Sequence, residues 1–461
     1  METRSRRVAI EEALDAGWRF GGLHASHGAI VRTLLVGPDG STRIETTETL
    51  GLETASILDI APAANWDERE AHDLYGIRFS GHDPMRPLVN HVPTPEEWMV
   101  PIRGHDPYEV AVGPIHAGVI ESGHFRFHVV GDRILHLDSR LFFKHRGLEQ
   151  AAEGNALADG IGYAARACAA CSVANTVAYA HACEEVLGLG ATPELARART
   201  ILLELERTWN HLNDIAAICA GAGLAAGNNH FAALTEQARR LNATLTGHRF
   251  LFDSIRVGGS KLELEHDQIR AAREQLTTIR AKTAIGWHAL LSNFSFQDRL
   301  PDIGVVNIEN AHRLGTVGPA ARASGIPDDA RTNSTRLAYE DFEAAMPERP
   351  DGDVRTRLEQ RKLEIEQTLM ILENLLNRPV KPAAAITGGD QREIGVGRVE
   401  SARGATTCIV ERTDNQVSRL RLRTGSYANW PTVAFAAVDN LLPDFPLINK
   451  SFELCYACAD R

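Results

Sequence analysis

Two Cys-x-x-Cys pairs are the residues of this sequence best suited to chemistry. Cys168 and Cys171 lie in RACAACSVAN, and Cys455 and Cys458 lie in SFELCYACADR. In such a pair two thiolates converge on one ion, because the second reaches back across a single turn. If the pairs meet, they form a four-thiolate site that suits zinc, an iron–sulfur cluster or nickel and iron.

The spacing of the two pairs leaves the metal undecided. A structural zinc site is the simplest interpretation, but zinc ribbons normally keep their pairs within roughly 15 to 20 residues. Here more than half of the chain separates them. A thioredoxin-like redox pair is disfavoured, because neither pair follows a strand–helix junction of that kind. The pairs can meet only if the C-terminal segment is buried beside the start of a helical region.

The composition disfavours several functional classes. The 461 residues, 44% of them hydrophobic, indicate two or three globular domains. A net charge of −11 disfavours a nucleic-acid groove or an anionic membrane surface as the main partner. No apolar run approaches the roughly 18 to 20 residues of a membrane span, and the N-terminus lacks the apolar core of a signal peptide. We therefore expect a soluble, cytoplasmic chain that reaches a membrane only through partners.

The total of seven cysteines disfavours a disulfide framework and favours metal or redox chemistry. Cys183 and Cys219 lie in helical patterns, and we expect them to be small core residues. The charged run DEREAHD, residues 67–73, is expected to form a solvated helix face or a contact with another protein of a complex.

Secondary-structure patterns divide the chain into a small first domain and a large second domain. Residues 1–105 are predicted to form a small α/β unit that ends in a proline-containing connection. Within it, the stretch RTLLVGPDGSTRIETTETL alternates β-favouring residues around a Pro-Asp-Gly turn, which predicts a hairpin. Residues 106–461 begin with strands around a turn at Gly131–Asp132. From Lys144 they form long amphipathic helices, one of which starts at Thr192–Pro193, and then return to short strands. The predicted fold class is α+β.

Seven motifs that follow one another in order carry a family resemblance. They are VGPIHAGVIESGHFRF, FKHRGLEQAAE, RACAACSVAN, GPAARASGIPDDAR, VESARGATTC, YANWPT and CYACADR. Together they resemble the large catalytic subunit of membrane-bound (group 4, formate hydrogenlyase-type) [NiFe] hydrogenases, which is related to the 49 kDa subunit of NADH:quinone oxidoreductase (complex I). The earlier block WDEREAHDLYGIRFSGHDPMRPL resembles the 30 kDa subunit of complex I, fused as a first domain. The resemblance implies a 30 kDa-like domain over 1–105 and a mainly helical hydrogenase-type domain with peripheral strands over 106–461.

The resemblance implies that the four cysteines hold a Ni–Fe centre. Cys168, Cys171, Cys455 and Cys458 fall on the family's nickel thiolates, of which the second and fourth also bridge to an iron carrying CO and cyanide. Soft thiolates stabilise low-valent nickel, and a terminal ligand such as Cys455 accepts a proton when H2 is split. Related complex I subunits lack these cysteines, so their retention favours a hydrogenase that interconverts H2 with protons and electrons.

Three further residues receive roles from the resemblance. Arg403, in SARG, matches an arginine whose guanidinium overhangs the metals. Glu121, in IESGHFR, matches a glutamate that passes protons from a terminal cysteine toward solvent, a task that suits a carboxylate near a thiol. Glu149, in HRGLE, falls on a position that helps to bind Mg²⁺ or another divalent ion near the C-terminus.

The resemblance also implies partners. Electrons would pass to an iron–sulfur small subunit with a proximal [4Fe–4S] cluster, because the sequence has no further cysteine array for clusters. Membrane-arm and ferredoxin-like subunits and maturation proteins are expected, on the cytoplasmic face of a membrane and without direct membrane insertion. Nucleic acid is not an expected partner. Two alternatives stay open: a complex I-like quinone or redox-coupling subunit, and an assembly subunit with a structural Zn(Cys)4 site.

Several positions depart from the family pattern. Ala169 replaces a glycine of the first cysteine motif, Asn175 and Cys408 stand where the family has histidines, and Glu453-Leu454 replace an Asp-Pro. None of these changes removes a metal ligand. Each alters hydrogen bonding around the ligands, which typically costs about 10- to 100-fold in metal affinity or activity.

Other polar residues in the motifs receive structural interpretations. His116 and His124 flank one strand, where they either line a path to the metals or serve the core. Asp328, Asp329 and Arg331 are expected to order the surroundings of the site through ion pairs rather than to perform chemistry.

Overall fold

A computed structural model of the chain describes residues 6–92, 94, 97–102, 107–115 and 121–461. Its first elements are α1 (Arg6–Asp15), β1 (Arg19–Ser26), β2 (Ile30–Val36), β3 (Thr42–Glu48), β4 (Glu53–Ala55), α2 (Asn65–Tyr75) and β5 (Arg78–Ser80). Strands β1, β2 and β3 form an antiparallel sheet, and β4 pairs with β5 in parallel. Val36 pairs with Thr42, so the hairpin predicted around the Pro-Asp-Gly turn is confirmed.

A second antiparallel sheet leads into the large domain. It consists of β6 (Tyr108–Val112), β7 (His124–Val130) and β8 (Arg133–Arg140). Val130 pairs with Arg133, which confirms the predicted turn between them. The predicted boundary between residues 105 and 106 lies outside the described residues and stays a prediction.

Helices dominate the middle of the chain. With the short strands between them they are α3 (Leu148–Ala152), α4 (Ile161–Arg166), α5 (Ser172–Val186), β9 (Leu189–Gly190), α6 (Pro193–Gly221), α7 (Ala225–Thr246), β10 (Ile255–Arg256), β11 (Gly259–Ser260), α8 (His266–Leu291), α9 (Phe294–Asp298), α10 (Ile308–Arg313), α11 (Gly318–Ala323), α12 (Val354–Leu375), β12 (Ala383–Ala384) and β13 (Ile386–Thr387). Helix α6 begins where the sequence predicts. Thr192 Oγ1 accepts a hydrogen bond from the Leu195 amide at 3.2 Å, and Pro193 takes a position that needs no amide donor.

A further antiparallel sheet and three helices complete the fold. They are β14 (Ile394–Ser401), β15 (Gly404–Thr413), β16 (Gln416–Arg423), α13 (Gly425–Ala437), α14 (Phe445–Phe452) and α15 (Tyr456–Asp460). The mixture of helices with antiparallel sheets agrees with the α+β expectation. Within the described residues, no helix is long and apolar enough to cross a membrane.

Helix α5 packs directly on strand β14, because the strand carries glycines at the contact. A Cβ atom on Gly395 would overlap the carbonyl oxygen of Ala182, and a Cβ atom on Gly397 would overlap that of Ala178. The two carbonyls are four residues apart and therefore lie on one face of the helix. Since α5 begins directly after Cys171, this close approach fixes the helix that follows the first cysteine pair.

Hydrophobic cores hold the layers together. One core surrounds α5, α6, α7 and α12, and a second joins β7 and β8 to α13, α14 and α15. A third lies in the N-terminal unit, between the β1–β3 sheet and helices α1 and α2. The four cysteines of the two pairs form a separate small cluster with neighbouring alanines.

We expect the Gly397→Ala substitution to destabilise the fold by about 1–3 kcal/mol or more, because the added methyl group must push α5 away from β14. Urea unfolding of the full chain would measure the change. Gly389→Ala is the matched control, since a Cβ atom there meets no atom within 4 Å. Equal stability of the two variants would contradict the role given to the glycine contact.

Candidate metal centre

The two cysteine pairs meet. The sulfur atoms of Cys168, Cys171, Cys455 and Cys458 all lie within 4.8 Å of one another. Cys455 is partly exposed, and the other three are buried. Four thiols this close form a donor set for one soft metal ion or a small metal cluster.

The first pair is positioned by helix α6. Cys168 is extended, and Cys171 ends a short 3₁₀ turn that leads into α5. The amides of Val173 and Ala174, at the start of α5, donate to the carboxyl oxygens of Glu206 at 2.6 and 3.0 Å. Helix-end amides have no partner within their own helix. Glu206 therefore fixes the start of α5 and, with it, the cysteine pair.

The second pair is positioned by side chains from two other elements. Helix α14 ends at a left-handed residue, Glu453, with a φ of 49°, which turns the chain toward the first pair. The Cys455 amide then donates to Ser426 Oγ at 3.1 Å. The Ala457 amide donates to Glu121 Oε2 at 2.5 Å. Glu121, which sequence analysis singles out, thus contacts the backbone between the two cysteines.

Arg403 is buried beside the cysteines and is held by a carboxylate. Its Nη1 donates to Asp214 Oδ2 at 2.7 Å, and its carbonyl accepts a hydrogen bond from Asn429. Burial alone would lower the pKa of Arg403, but the charges of Asp214, Cys455 and Cys171 outweigh it and raise the pKa. Arg403 is therefore a permanent positive charge next to the thiols.

Glu453 adds an acidic group that titrates near neutrality. It replaces the aspartate of the family's Asp-Pro, and it lies close enough to Asp214 and Arg403 for their charges to act on it. Burial raises the pKa of Glu453 to about 7, and the negative charge of Asp214 adds to the effect. Asn213 contacts the same carboxyl group at 3.5 Å.

The four thiols are not equivalent. Hydrogen bonds from Cys168, Cys171 and Cys458 hold the pKa of Cys455 well below its usual value, and Arg403 lowers it further. Hydrogen bonds among the cysteines raise the pKa values of Cys171 and Cys458. These contacts therefore favour the thiolate form at the partly exposed Cys455.

A cavity of about 660 Å³ opens beside the cysteines. Its wall includes Cys168, Cys455, Glu121, Arg403 and Glu453. The cavity gives a reacting molecule or a partner's group access to the thiol, carboxyl and guanidinium groups at once.

Of the positions that depart from the family pattern, Asn175, Cys408 and Leu454 are buried, Glu453 is partly buried and Ala169 is exposed. Asn175 lies on α5, one turn after Cys171, and neither atom of its amide has a hydrogen-bond partner among the described residues. Cys408 lies in β15, and its interactions are with Cys183 and Glu149 rather than with the four-cysteine group. Cys183 and Cys219 are fully buried core residues, as expected.

Glu149 lies in an arginine cluster, separate from the four cysteines. Its Oε2 accepts from Arg419 Nη1 at 3.1 Å, and its Oε1 accepts from the Leu422 amide at 2.9 Å. Arg421 and Arg461 are 3.6 and 3.3 Å from Oε1. Together these positive charges lower the pKa of Glu149 despite its burial.

The expectation of a solvated face for residues 67–73 is wrong. Asp67 and Glu70 are buried, and they form ion pairs with Arg421, Arg423 and Arg461. The sequence does contain one indication that these acidic residues have buried partners. Arginines alternate along β16 and so share one face of the strand, which marks a basic surface that requires an acidic partner.

The expected ion pairs of the SGIPDDAR loop are confirmed. Arg331 donates to Asp329 at 2.7 Å, and Arg398 lies 3.2 Å from Asp328. His124 Nδ1 lies 3.1 Å from the carbonyl oxygen of Gly113. His116 lies outside the described residues.

Comparisons with known proteins now bear on this site. Residues 29–110 match the family model of the respiratory-chain NADH dehydrogenase 30 kDa subunit, and residues 228–394 match that of the 49 kDa subunit. Among curated proteins, the chain is 30% identical over 443 residues to formate hydrogenlyase subunit 5 of Escherichia coli, which covers 89% of this chain and 77% of that protein. The chain belongs to the family of group 4 hydrogenase large subunits and complex I 49 kDa and 30 kDa subunits.

Other members of this family span two kinds of enzyme. A C/D-type NADH-quinone oxidoreductase protein of Aquifex aeolicus is 26% identical over 383 residues, covering 70% of this chain and 64% of that protein. A solved structure of the membrane-bound sulfane sulfur reductase, an archaeal respiratory membrane complex, contains a similar chain at 27% identity. The two align with a TM-score of 0.70, over 77% of this chain and 99% of that one. The chain is therefore related to oxidoreductases, and members of the family carry out different reactions.

We expect the full chain, freed of metal, to bind one Co²⁺ ion at the four cysteines, with thiolate-to-cobalt absorption bands that report occupancy. Cys458→Ser should weaken Co²⁺ binding by at least about 100-fold, because it removes a metal ligand. Loss of a residue that only hydrogen-bonds to a ligand typically weakens metal binding by about 10- to 100-fold. Cys219→Ser, in the core of α6, is the matched control and should bind like the unmodified chain. Equal titration curves for the two variants would contradict a shared site.

Proposed function

We propose that this chain is the catalytic large subunit of a [NiFe] hydrogenase that interconverts H2 with protons and electrons. The observation that carries the proposal is the four-cysteine group with Arg403 and Glu121 beside it. The donor set fits a nickel–iron centre, because soft thiolates stabilise low-valent nickel. The four cysteines would hold the centre, whose iron would carry CO and cyanide. When bound, the centre supplies the electron-accepting chemistry that splits H2.

Arg403 supplies a fixed positive charge at the cavity wall. Its Nη1 is occupied by Asp214, while its Nε has no hydrogen-bond partner among the described residues. A buried guanidinium in the cavity wall can stabilise negative charge that develops in the cavity. Lysine has no equivalent planar arrangement of donors, so it would hold the charge with poorer positioning.

Glu121 and Cys455 together provide a route for the proton. The Ala457 amide, two residues after Cys455, donates to Glu121 Oε2 at 2.5 Å. Both side chains line the cavity. In the proposed mechanism Cys455 accepts the proton and Glu121, which is partly exposed, passes it toward solvent.

Partners follow from the same proposal. Outside the four-cysteine group, the described residues contain no further cluster of metal-ligating side chains, so electrons would leave through an iron–sulfur small subunit with a proximal [4Fe–4S] cluster. Membrane-arm and ferredoxin-like subunits and maturation proteins would complete the complex on the cytoplasmic face of a membrane. Relatives named as formate hydrogenlyase and membrane-bound hydrogenase subunits support this assignment.

A second candidate function is that of a complex I-like protein that couples redox chemistry without hydrogen. The similarity to NADH-quinone oxidoreductase subunits favours it, and so does the cavity of about 660 Å³, a size typical of pockets for small organic molecules. This candidate predicts that Cys455→Ser leaves electron transfer by the complex intact.

Metal analysis of the purified complex tests the hydrogenase proposal most directly. We expect nickel and iron together, infrared bands of bound CO and cyanide, and H2/D⁺ exchange. Arg403→Lys should keep the metals but slow exchange by about 10- to 100-fold, because the charge remains while its position changes. A complex that contains no nickel and shows no exchange would exclude the hydrogenase function.

The Glu121→Gln substitution separates proton transfer from metal binding. Glutamine keeps an oxygen that accepts the Ala457 amide, so nickel content and infrared bands should match those of the unmodified complex. It cannot take up a proton at neutral pH, so we expect H2/D⁺ exchange to fall by about 100-fold or more. Unchanged exchange with normal metal content would remove Glu121 from the proton route.

A further inference from the structure

The surroundings of Glu149 do not suit a divalent cation. Both carboxylate oxygens already accept hydrogen bonds, from Arg419 and from the Leu422 amide. The guanidinium groups of Arg421 and Arg461 lie within 4 Å of Oε1. A Mg²⁺ ion requires several free oxygen ligands at about 2.1 Å. Here it would have to displace hydrogen bonds and face three positive charges.

A guanidinium group takes the place that a cation would fill. Arg461 is 2% exposed, and its Nη2 donates to both carboxylate oxygens of Glu70 at 2.7 Å. Its Nη1 donates to the carbonyl oxygen of Leu422 at 2.7 Å and lies 3.3 Å from Glu149. The guanidinium also stacks on the Tyr427 ring, 4.6 Å from its centre. Two carboxylates and one carbonyl thus converge on this side chain as they would on a metal ion.

One of these carboxylates comes from the N-terminal unit. Glu70 lies on α2, whereas Glu149 and Leu422 lie on α3 and β16. Arg421 Nη1 also donates to Glu70 Oε1, at 2.5 Å, so two arginines hold the Glu70 carboxylate. The segment that carries Cys455 and Cys458 is therefore tied through Arg461 to a domain that contributes no metal ligand.

We propose that the Arg461 guanidinium replaces a divalent cation as the group that fixes the C-terminal cysteine segment, with Glu70 of the N-terminal unit as its anchor. The arrangement needs no bound Mg²⁺. It makes the position of Cys455 and Cys458 depend on the docking of the N-terminal unit. This inference is independent of the reaction at the four cysteines, because it concerns only what holds the segment.

The first test measures divalent ions directly. We expect the full chain, purified in the presence of Mg²⁺, to contain no stoichiometric magnesium. Titration of the chelator-treated chain with Mn²⁺, followed by electron paramagnetic resonance, should show no tight site, and added Mg²⁺ should not shift the thermal unfolding midpoint. One magnesium per chain, or a midpoint that rises with Mg²⁺, would overturn the proposal.

The second test measures how firmly the segment is held. Hydrogen exchange of a peptide covering residues 455–461 should be at least about tenfold faster in Arg461→Gln, which removes the charged contacts of this segment with Glu70 and Glu149. Arg461→Lys should be intermediate, because an ammonium group cannot make the paired contact with Glu70. Exchange equal to that of the unmodified chain in Arg461→Gln would contradict the proposal.

A pair of variants on one helix separates anchoring from general destabilisation. Glu70→Gln should speed exchange of residues 455–461. Glu68→Gln is the matched control, since Glu68 is also buried on α2 but, among the described residues, accepts hydrogen bonds from Ser56, His82 and the Ile57 amide of its own unit. Glu68→Gln should speed exchange only within the N-terminal unit. Equal exchange of the segment in both variants would show that Glu70 has no specific anchoring role.

Discussion

Burial of the segment that carries the second cysteine pair is the constraint on which the site depends. Asp460 accepts hydrogen bonds from the amides of Phe142 and Lys144 at 2.7 and 2.9 Å. Thr424 Oγ1 donates to the carbonyl oxygen of Cys458 at 3.0 Å. A buried polar group without a hydrogen-bond partner destabilises the fold. The segment finds these partners only where it lies against Phe142, Lys144 and Thr424, so that position is the favoured one. That position brings thiols from distant parts of the sequence together.

The polar interior next to the site is held by ion pairs rather than by the metal ligands. Arg403 pairs with Asp214, His211 lies between Asp214 and Glu364, and Arg322 binds Glu364 at 2.7 Å. All of these side chains are buried. Removal of one partner from such a network leaves a charge uncompensated, which typically costs about 3–5 kcal/mol. These ion pairs stabilise the fold around the cavity without involving the four cysteines. The same fold can therefore carry different reactions, which agrees with a family that includes both hydrogenases and quinone oxidoreductases.

The parts of this fold that sequence predicts are those with a local cause. The β2–β3 hairpin follows from its Pro-Asp-Gly turn, and the start of α6 follows from the Thr192 cap and Pro193. The contact between the two cysteine pairs is predicted from chemistry and not from local structure, because four thiols in two Cys-x-x-Cys pairs can bind one metal centre together. The structure brings their sulfur atoms together, and it also brings Arg403 and Glu121 to the same cavity.

The acidic run of α2 shows what local patterns leave open, although the alternating arginines of β16 indicate a basic face that requires acidic partners. Asp67 and Glu70 have the composition of a solvent-exposed helix face, and only contact with the arginines of β16 and with Arg461 makes their burial favourable. Charge burial depends on partners that are distant in sequence, so neither helix period nor propensity reveals it.

The same holds for Glu453, where Glu-Leu replaces Asp-Pro. Its carboxyl group lies within reach of the charges of Arg403 and Asp214, so an acidic group stands beside the cysteines at this position.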